Sequence, residues 1–127
     1  MKICRGLRGA TTTTANSREA ILDSTRELLS ELIAANQLEA HDVASAFFTV
    51  TPDLNAAFPA RAARELGWTY VALLDALAPS VPNDLARCIR VLIHWNTERA
   101  PNELIHIYLR DARALRPDLD FTRSDKI

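Results

Sequence analysis

In the run Arg87-Cys88-Ile89-Arg90-Val91-Leu92-Ile93-His94-Trp95, the stretch from Cys88 to Ile93 is apolar except for Arg90 in its middle. It reads as a β-strand. An unpaired charge inside such a run would cost several kcal/mol. Arg90 therefore faces either a partner carboxylate or a cavity that receives an anion, and the run by itself leaves both open.

Upstream, residues 2–8 read as a short strand ending in Arg8-Gly9, where the missing Cβ lets a backbone or a ligand come close. After the run of threonines, Asn16 and Glu19 have capping-box spacing. Ile21, Leu22, Thr25, Leu28, Leu29, Leu32 and Ile33 then recur at helical period up to about Asn36, while Glu19, Asp23, Arg26, Glu27 and Glu31 form a solvated face. Val43–Val50 reads as a strand buried on both faces, broken by Thr51-Pro52-Asp53. Phe58-Pro59 opens a short helix that carries Arg61 and Arg64 and stops at Gly67. Residues 68–74 read as a third strand and 75–84 as a loop containing Pro79 and Pro82. Downstream of the arginine-centred strand come a turn at Pro101–Glu103, a last strand over residues 104–109, and a polar tail from Arg113. Strands alternating with two helices predict an α/β or α+β domain built on one mixed sheet, and the α+β form, with helices packed against the sheet, is the expectation adopted. The expected division is a domain over residues 1–116 and a C-terminal tail over 117–127.

The charges nearly cancel, to a net of −1, which argues against binding nucleic acid or an anionic membrane through bulk charge. Of the 15 basic residues only Lys2 and Lys126 are lysine; the rest are arginine. Arginine stays charged and grips carboxylates or phosphates with a planar two-pronged donor set. GC-rich codons would give the same total, so position alone singles out any one of them. Met1-Lys2-Ile3-Cys4-Arg5 lacks the apolar run of a signal peptide, and no stretch approaches the roughly 20 apolar residues that cross a bilayer. The expectation is a soluble, cytoplasmic protein with Cys4 and Cys88 reduced, Cys88 serving as a small core residue.

His41, His94 and His106 have no metal-ligand spacing, and neither CxxC nor HExxH occurs. With three glycines in all, a phosphate-cradling loop is not expected, and nothing supplies a base for a serine nucleophile. No metal, nucleotide or other cofactor is therefore implied. Tyr108 either brings a phenol to the same mouth as Arg8 or is a half-buried sheet tyrosine.

Six segments in register resemble the AroH-class chorismate mutases across nearly the whole chain. They are Arg5-Gly6-Leu7-Arg8-Gly9-Ala10-Thr11-Thr12, Thr51-Pro52-Asp53-Leu54, the stretch from Phe58-Pro59-Ala60-Arg61 through Arg64-Glu65-Leu66-Gly67-Trp68, Cys88-Ile89-Arg90-Val91, His106-Ile107-Tyr108-Leu109, and Leu115-Arg116-Pro117-Asp118-Leu119. The resemblance implies a homotrimer with active sites between subunits and the Claisen rearrangement of chorismate to prephenate, a step towards phenylalanine and tyrosine. It also implies roles. Arg90 donates to the ether oxygen and a carboxylate, while Arg8 and Tyr108 hold carboxylates. Phe58, as an apolar wall, comes with Arg61 and Arg64 from the adjacent subunit. Leu74 contacts substrate, and Leu115 and Arg116 close over the site. A pericyclic step needs no nucleophile and no proton transfer; fixed cations suffice.

One position departs from the family. Where relatives place a glutamate in the loop after strand three, this chain has Ala78, and Asp75 stands three residues earlier. Arginines without a counter-charge repel one another and the substrate hydroxyl needs a polar partner, so Asp75 is expected to supply the carboxylate. The competing reading is a mutase-like protein that binds a dicarboxylate with weak or lost turnover. A purely structural trimeric module is a third.

Overall fold

The computed structural model describes residues 1–118; residues 119–127, and with them most of the expected tail and Leu119, lie outside the described residues. Among the described residues five strands form one mixed sheet: β1 (Ile3–Thr12), β2 (Val43–Val50), β3 (Ala72–Leu77), β4 (Cys88–Thr97) and β5 (Ile107–Tyr108), in the order β3-β2-β4-β1-β5. The arginine-centred strand is the middle one. β4 runs antiparallel to both neighbours, β1 and β2, while the outer pairs β2/β3 and β1/β5 are parallel. The mixed α+β sheet expected from the sequence is the one found.

Alternation along β4 divides the sheet into two unlike faces. Ile89, Val91, Ile93 and Trp95 are buried in the core, whereas Arg90, Leu92, His94 and Asn96 are only half-buried. Helix α1 (Arg18–Asn36) packs on β1 and on the short helix α2 (Ala60–Glu65). Leu28, Leu29 and Leu32 are fully buried against Leu7, Phe48, Val91 and Ile93. Burying each of those leucines contributes roughly 1.5–3 kcal/mol. α1 lies so close to β1 that a Cβ on Gly9 would stand 2.9 Å from Leu32 Cδ1 and 3.1 Å from the Ile107 carbonyl oxygen.

Several boundaries differ from the sequence reading. The cap of α1 is Ser17, whose Oγ accepts from Ala20 N at 3.2 Å. Asn16 instead binds the backbone N–H groups of Asn55 and Ala56, tying down the segment that leads to α2. β2 is buried on one face only: Phe48 is inaccessible and Phe47 is 40 % exposed, with its ring edge-on to His94. β3 starts four residues later than expected, because Trp68 is spent in the core closing α2, with its N–H on the Ala63 carbonyl and Gly67 at φ +103°. Pairing with β2 therefore begins at Ala72 and runs through Leu77, which puts Asp75 on a strand and not in a loop.

The last strand shrinks to Ile107–Tyr108. Asn36 takes both backbone groups of Ile105, accepting its N–H at 2.9 Å and donating to its carbonyl at 2.9 Å. Arg110, at φ 54°, then turns the chain into a 3-10 segment, Arg110–Leu115, which takes in the start of the polar tail expected from Arg113. Ala112, fully buried against Ala10 and Tyr108, anchors that segment, which ends beside Arg116.

Candidate active site

The half-buried face of the sheet carries a cleft of about 510 Å³. Arg90 lies opposite Ala10 of β1 and Thr49 of β2, Arg8 lies opposite Leu92, and Tyr108 lies opposite Ala10. Residues two apart on a strand share a face. The register alone therefore brings Arg8, Phe47, Thr49, Arg90 and Tyr108 to one wall, where Leu115 and Arg116 join them from the segment after β5.

Arg90 combines the two possibilities that its strand left open. Its Nη2 lies 3.3 Å from Asp84 Oδ1, yet the residue lines the cleft with Arg8 and Tyr108, and its Nε is buried with no hydrogen-bond partner among the described residues. A buried guanidinium donor without an acceptor is costly, and an anion entering the cleft would relieve that cost. Arg116 is gripped by Asp118 in a two-pronged pair, Nε–Oδ1 3.0 Å and Nη2–Oδ2 2.9 Å. Asp118 first, and then Tyr108, hold the Arg116 pKa above its ordinary value. His106 accepts the Arg8 backbone N–H on Nδ1 at 3.0 Å. Burial, and then the positive charges of Arg8 and Arg116, push its pKa down, so the ring is kept neutral as an acceptor.

A second cleft, of about 530 Å³, holds the other expected residues: Phe58, Arg61, Arg64 and Asp75. Pro59, at φ −56°, starts α2 and leaves Phe58 70 % exposed, with Arg61 and Arg64 on the helix itself. Arg61 Nε lies 3.6 Å from Glu65 Oε2. Asp75 Oδ1 accepts the Ala60 N–H at 3.0 Å, at the start of α2. Burial raises the Asp75 pKa, opposed by that N–H and by Arg64.

The expected site residues thus fall into two groups within one chain, and the two clefts have no lining residue in common. Leu74 lines neither; it is 55 % exposed on β3 opposite Phe47. Ala78 is buried, with its N–H on the Val50 carbonyl, and also lines neither cleft. Asp84 and the side-chain role of His106 were not anticipated. His106 acts on a residue 98 positions away, and Asp84, six residues before Arg90, reaches it only through the turn of its loop, so no local pattern marks either. Asp118 lies in a segment the resemblance had quoted, two residues from its arginine. Among the described residues the one group of histidine and acidic side chains close enough to share a metal ion is Glu39, His41 and Asp42, none of which lines either cleft. Cys88 is buried, which raises its thiol pKa, as suits a core residue.

A mixed five-stranded sheet with two arginine-lined clefts presents the donors that suit a small anion. Comparison with known proteins carries this further. The family described as Chorismate mutase type I matches residues 4–119. A Thermus thermophilus protein named chorismate mutase AroH is 48 % identical over 117 residues, covering 91 % of this chain and 96 % of its own length. Its Bacillus subtilis namesake is 40 % identical over 124 residues, covering 97 % and 98 %. The solved chorismate mutase from Clostridium thermocellum superposes with a TM-score of 0.85 at 44 % identity, covering 87 % of this chain and 98 % of that one. The chain belongs to the type I chorismate mutase family.

Proposed function

We propose that this chain is a cytoplasmic, homotrimeric chorismate mutase whose sites form where the Arg90 cleft of one protomer meets the Arg64 cleft of the next. The carrying observation is the buried Arg90 Nε, without a hydrogen-bond partner among the described residues, in a cleft shared with Arg8, Tyr108 and Arg116. The cleft's 510 Å³ lies within the roughly 300–1,000 Å³ typical of small-ligand sites. Phe47, Leu74, Leu77 and Phe58 are 40 %, 55 %, 67 % and 70 % exposed, the kind of apolar surface that a partner subunit covers. Among the described residues no helix is long and apolar enough to cross a membrane.

The rearrangement breaks one C–O bond as a C–C bond forms, with no nucleophile and no proton transfer. The protein has to hold the compact conformer of chorismate and stabilise the negative charge that grows on the ether oxygen. Arg90 donates to that oxygen and to a carboxylate; Arg8, Tyr108 and Arg116 hold carboxylate groups. From the neighbouring protomer Arg61 and Arg64 add positive charge, Phe58 forms an apolar wall, and Asp75 accepts the substrate hydroxyl. Leu115 closes over the ligand, and Leu74 reaches it from β3. The site needs no cofactor.

Ala78 favours a second reading, in which the protein binds such a dicarboxylate and turns it over poorly. Loss of ultraviolet absorbance when the purified protein meets chorismate supports the first reading. Tight binding at constant absorbance would support the second.

A further inference from the structure

We propose that Asp84 is a positioning residue for Arg90: its carboxylate holds one edge of the guanidinium so that Nε is kept for an incoming ligand oxygen. This rests on the reading of the Arg90 cleft as the site of the rearrangement. The sheet itself offers no carboxylate to orient this side chain; its same-strand neighbour Cys88 brings only a thiol, whose pKa burial raises. Arg90's cross-strand neighbours are Ala10 and Thr49, neither of which carries a carboxylate. Arg8 and Arg116 line the same cleft and repel it. Without a fixed acceptor, the guanidinium of a long side chain would spread over several rotamers, each aiming its donors differently.

Asp84 is placed for the task by a loop whose shape is set independently of Arg90. Asn83 and Arg87 both stand in the left-handed region, at φ 67° and 49°. Asp84 N–H donates to the Val81 carbonyl at 3.2 Å, and Asp84 Oδ1 accepts the Leu85 N–H at 2.8 Å. The returning end is pinned at Arg87, whose N–H donates to Asp53 Oδ2 at 2.8 Å and whose Nε donates to the Thr13 carbonyl at 3.0 Å. Thr13 N–H in turn donates to the Arg87 carbonyl at 2.9 Å. The loop's own contacts thus place the carboxylate 3.3 Å from Arg90 Nη2. Both side chains remain partly exposed, at 38 % and 23 %, so the pair is screened and its effect lies in orientation more than in fold stability. Arg116 is held in the same manner by Asp118, so two cleft arginines each have a dedicated carboxylate.

The test compares wild type, Asp84→Asn and Asp84→Glu. Asparagine keeps an acceptor for the Leu85 N–H and removes only the charge. Steady-state kinetics with chorismate is expected to show kcat lower by about tenfold in Asp84→Asn with KM within about threefold, and partial recovery in Asp84→Glu. In ¹⁵N-labelled protein without ligand, the Arg90 Nε–Hε resonance is expected to broaden or lose order in Asp84→Asn and to stay sharp in wild type. Unchanged kcat together with an unchanged Arg90 resonance overturns the proposal. So does a lower KM at constant kcat, because Asp84 would then be competing with substrate for Arg90. If wild type does not turn over chorismate, the proposed function fails, and the Arg90 resonance alone then decides whether Asp84 holds the guanidinium.

Discussion

The backbone N–H of Arg8 donates to Nδ1 of His106 at 3.0 Å, joining the strand that carries one cleft arginine to the segment that leads to Tyr108. Only the neutral ring can accept there. Burial and the facing charges of Arg8 and Arg116 hold the His106 pKa below 6.5 in the folded state. The unfolded chain then binds more protons than the folded one between that lowered value and 6.5. This contribution to stability is complete above 6.5 and is lost as pH falls towards the folded value. Melting temperature is expected to drop over that window, and His106→Asn, which keeps an acceptor but cannot titrate, is expected to flatten the drop. An identical pH profile for both proteins would refute the assignment.

Gly9→Ala is expected to destabilise the fold by about 1–3 kcal/mol, as overpacking does. The added methyl meets Leu32 and Leu28 of α1 and the Ile107 carbonyl at 2.9–3.1 Å. Denaturant midpoints measure the change, and a midpoint equal to wild type would show that α1 can shift off β1.

The element boundaries show where the sequence is a sufficient guide. α1 was legible from its long helical period and β4 from its nearly continuous apolar run, in which Arg90 stood out as the one charge between Cys88 and Ile93. β3 was misplaced because Trp68 and Val71 look like strand residues, while the tertiary structure uses Trp68 to close α2. The last strand was overestimated because Asn36, about 70 residues earlier in the chain, takes the hydrogen bonds of Ile105. The arginine cluster was readable through resemblance, since motif segments fix positions. Its carboxylates were less so: Asp84 meets Arg90 only through the turn geometry of its loop.

Asp75 tests how the chain manages without a glutamate at position 78. Its carboxylate lies in the cleft with Arg61 and Arg64 and binds the Ala60 N–H. Asp75→Ala is expected to lower turnover substantially, and adding Ala78→Glu in that background to restore part of it. Turnover unchanged in Asp75→Ala would leave Asp75 with no part in the reaction.

The division of the arginines between two clefts of one chain is tested most directly by mixing inactive variants. Arg90→Ala alone is expected to cost on the order of 10²-fold or more in turnover of chorismate, as loss of a donor to developing charge does. Arg64→Ala is expected to disable the opposite half of each site. Trimers assembled from an equal mixture of the two should regain about a quarter of wild-type activity, since a site is whole when each neighbour supplies its intact half. Activity that stays at the level of the separate variants would mean that each site lies within a single chain, contradicting the account.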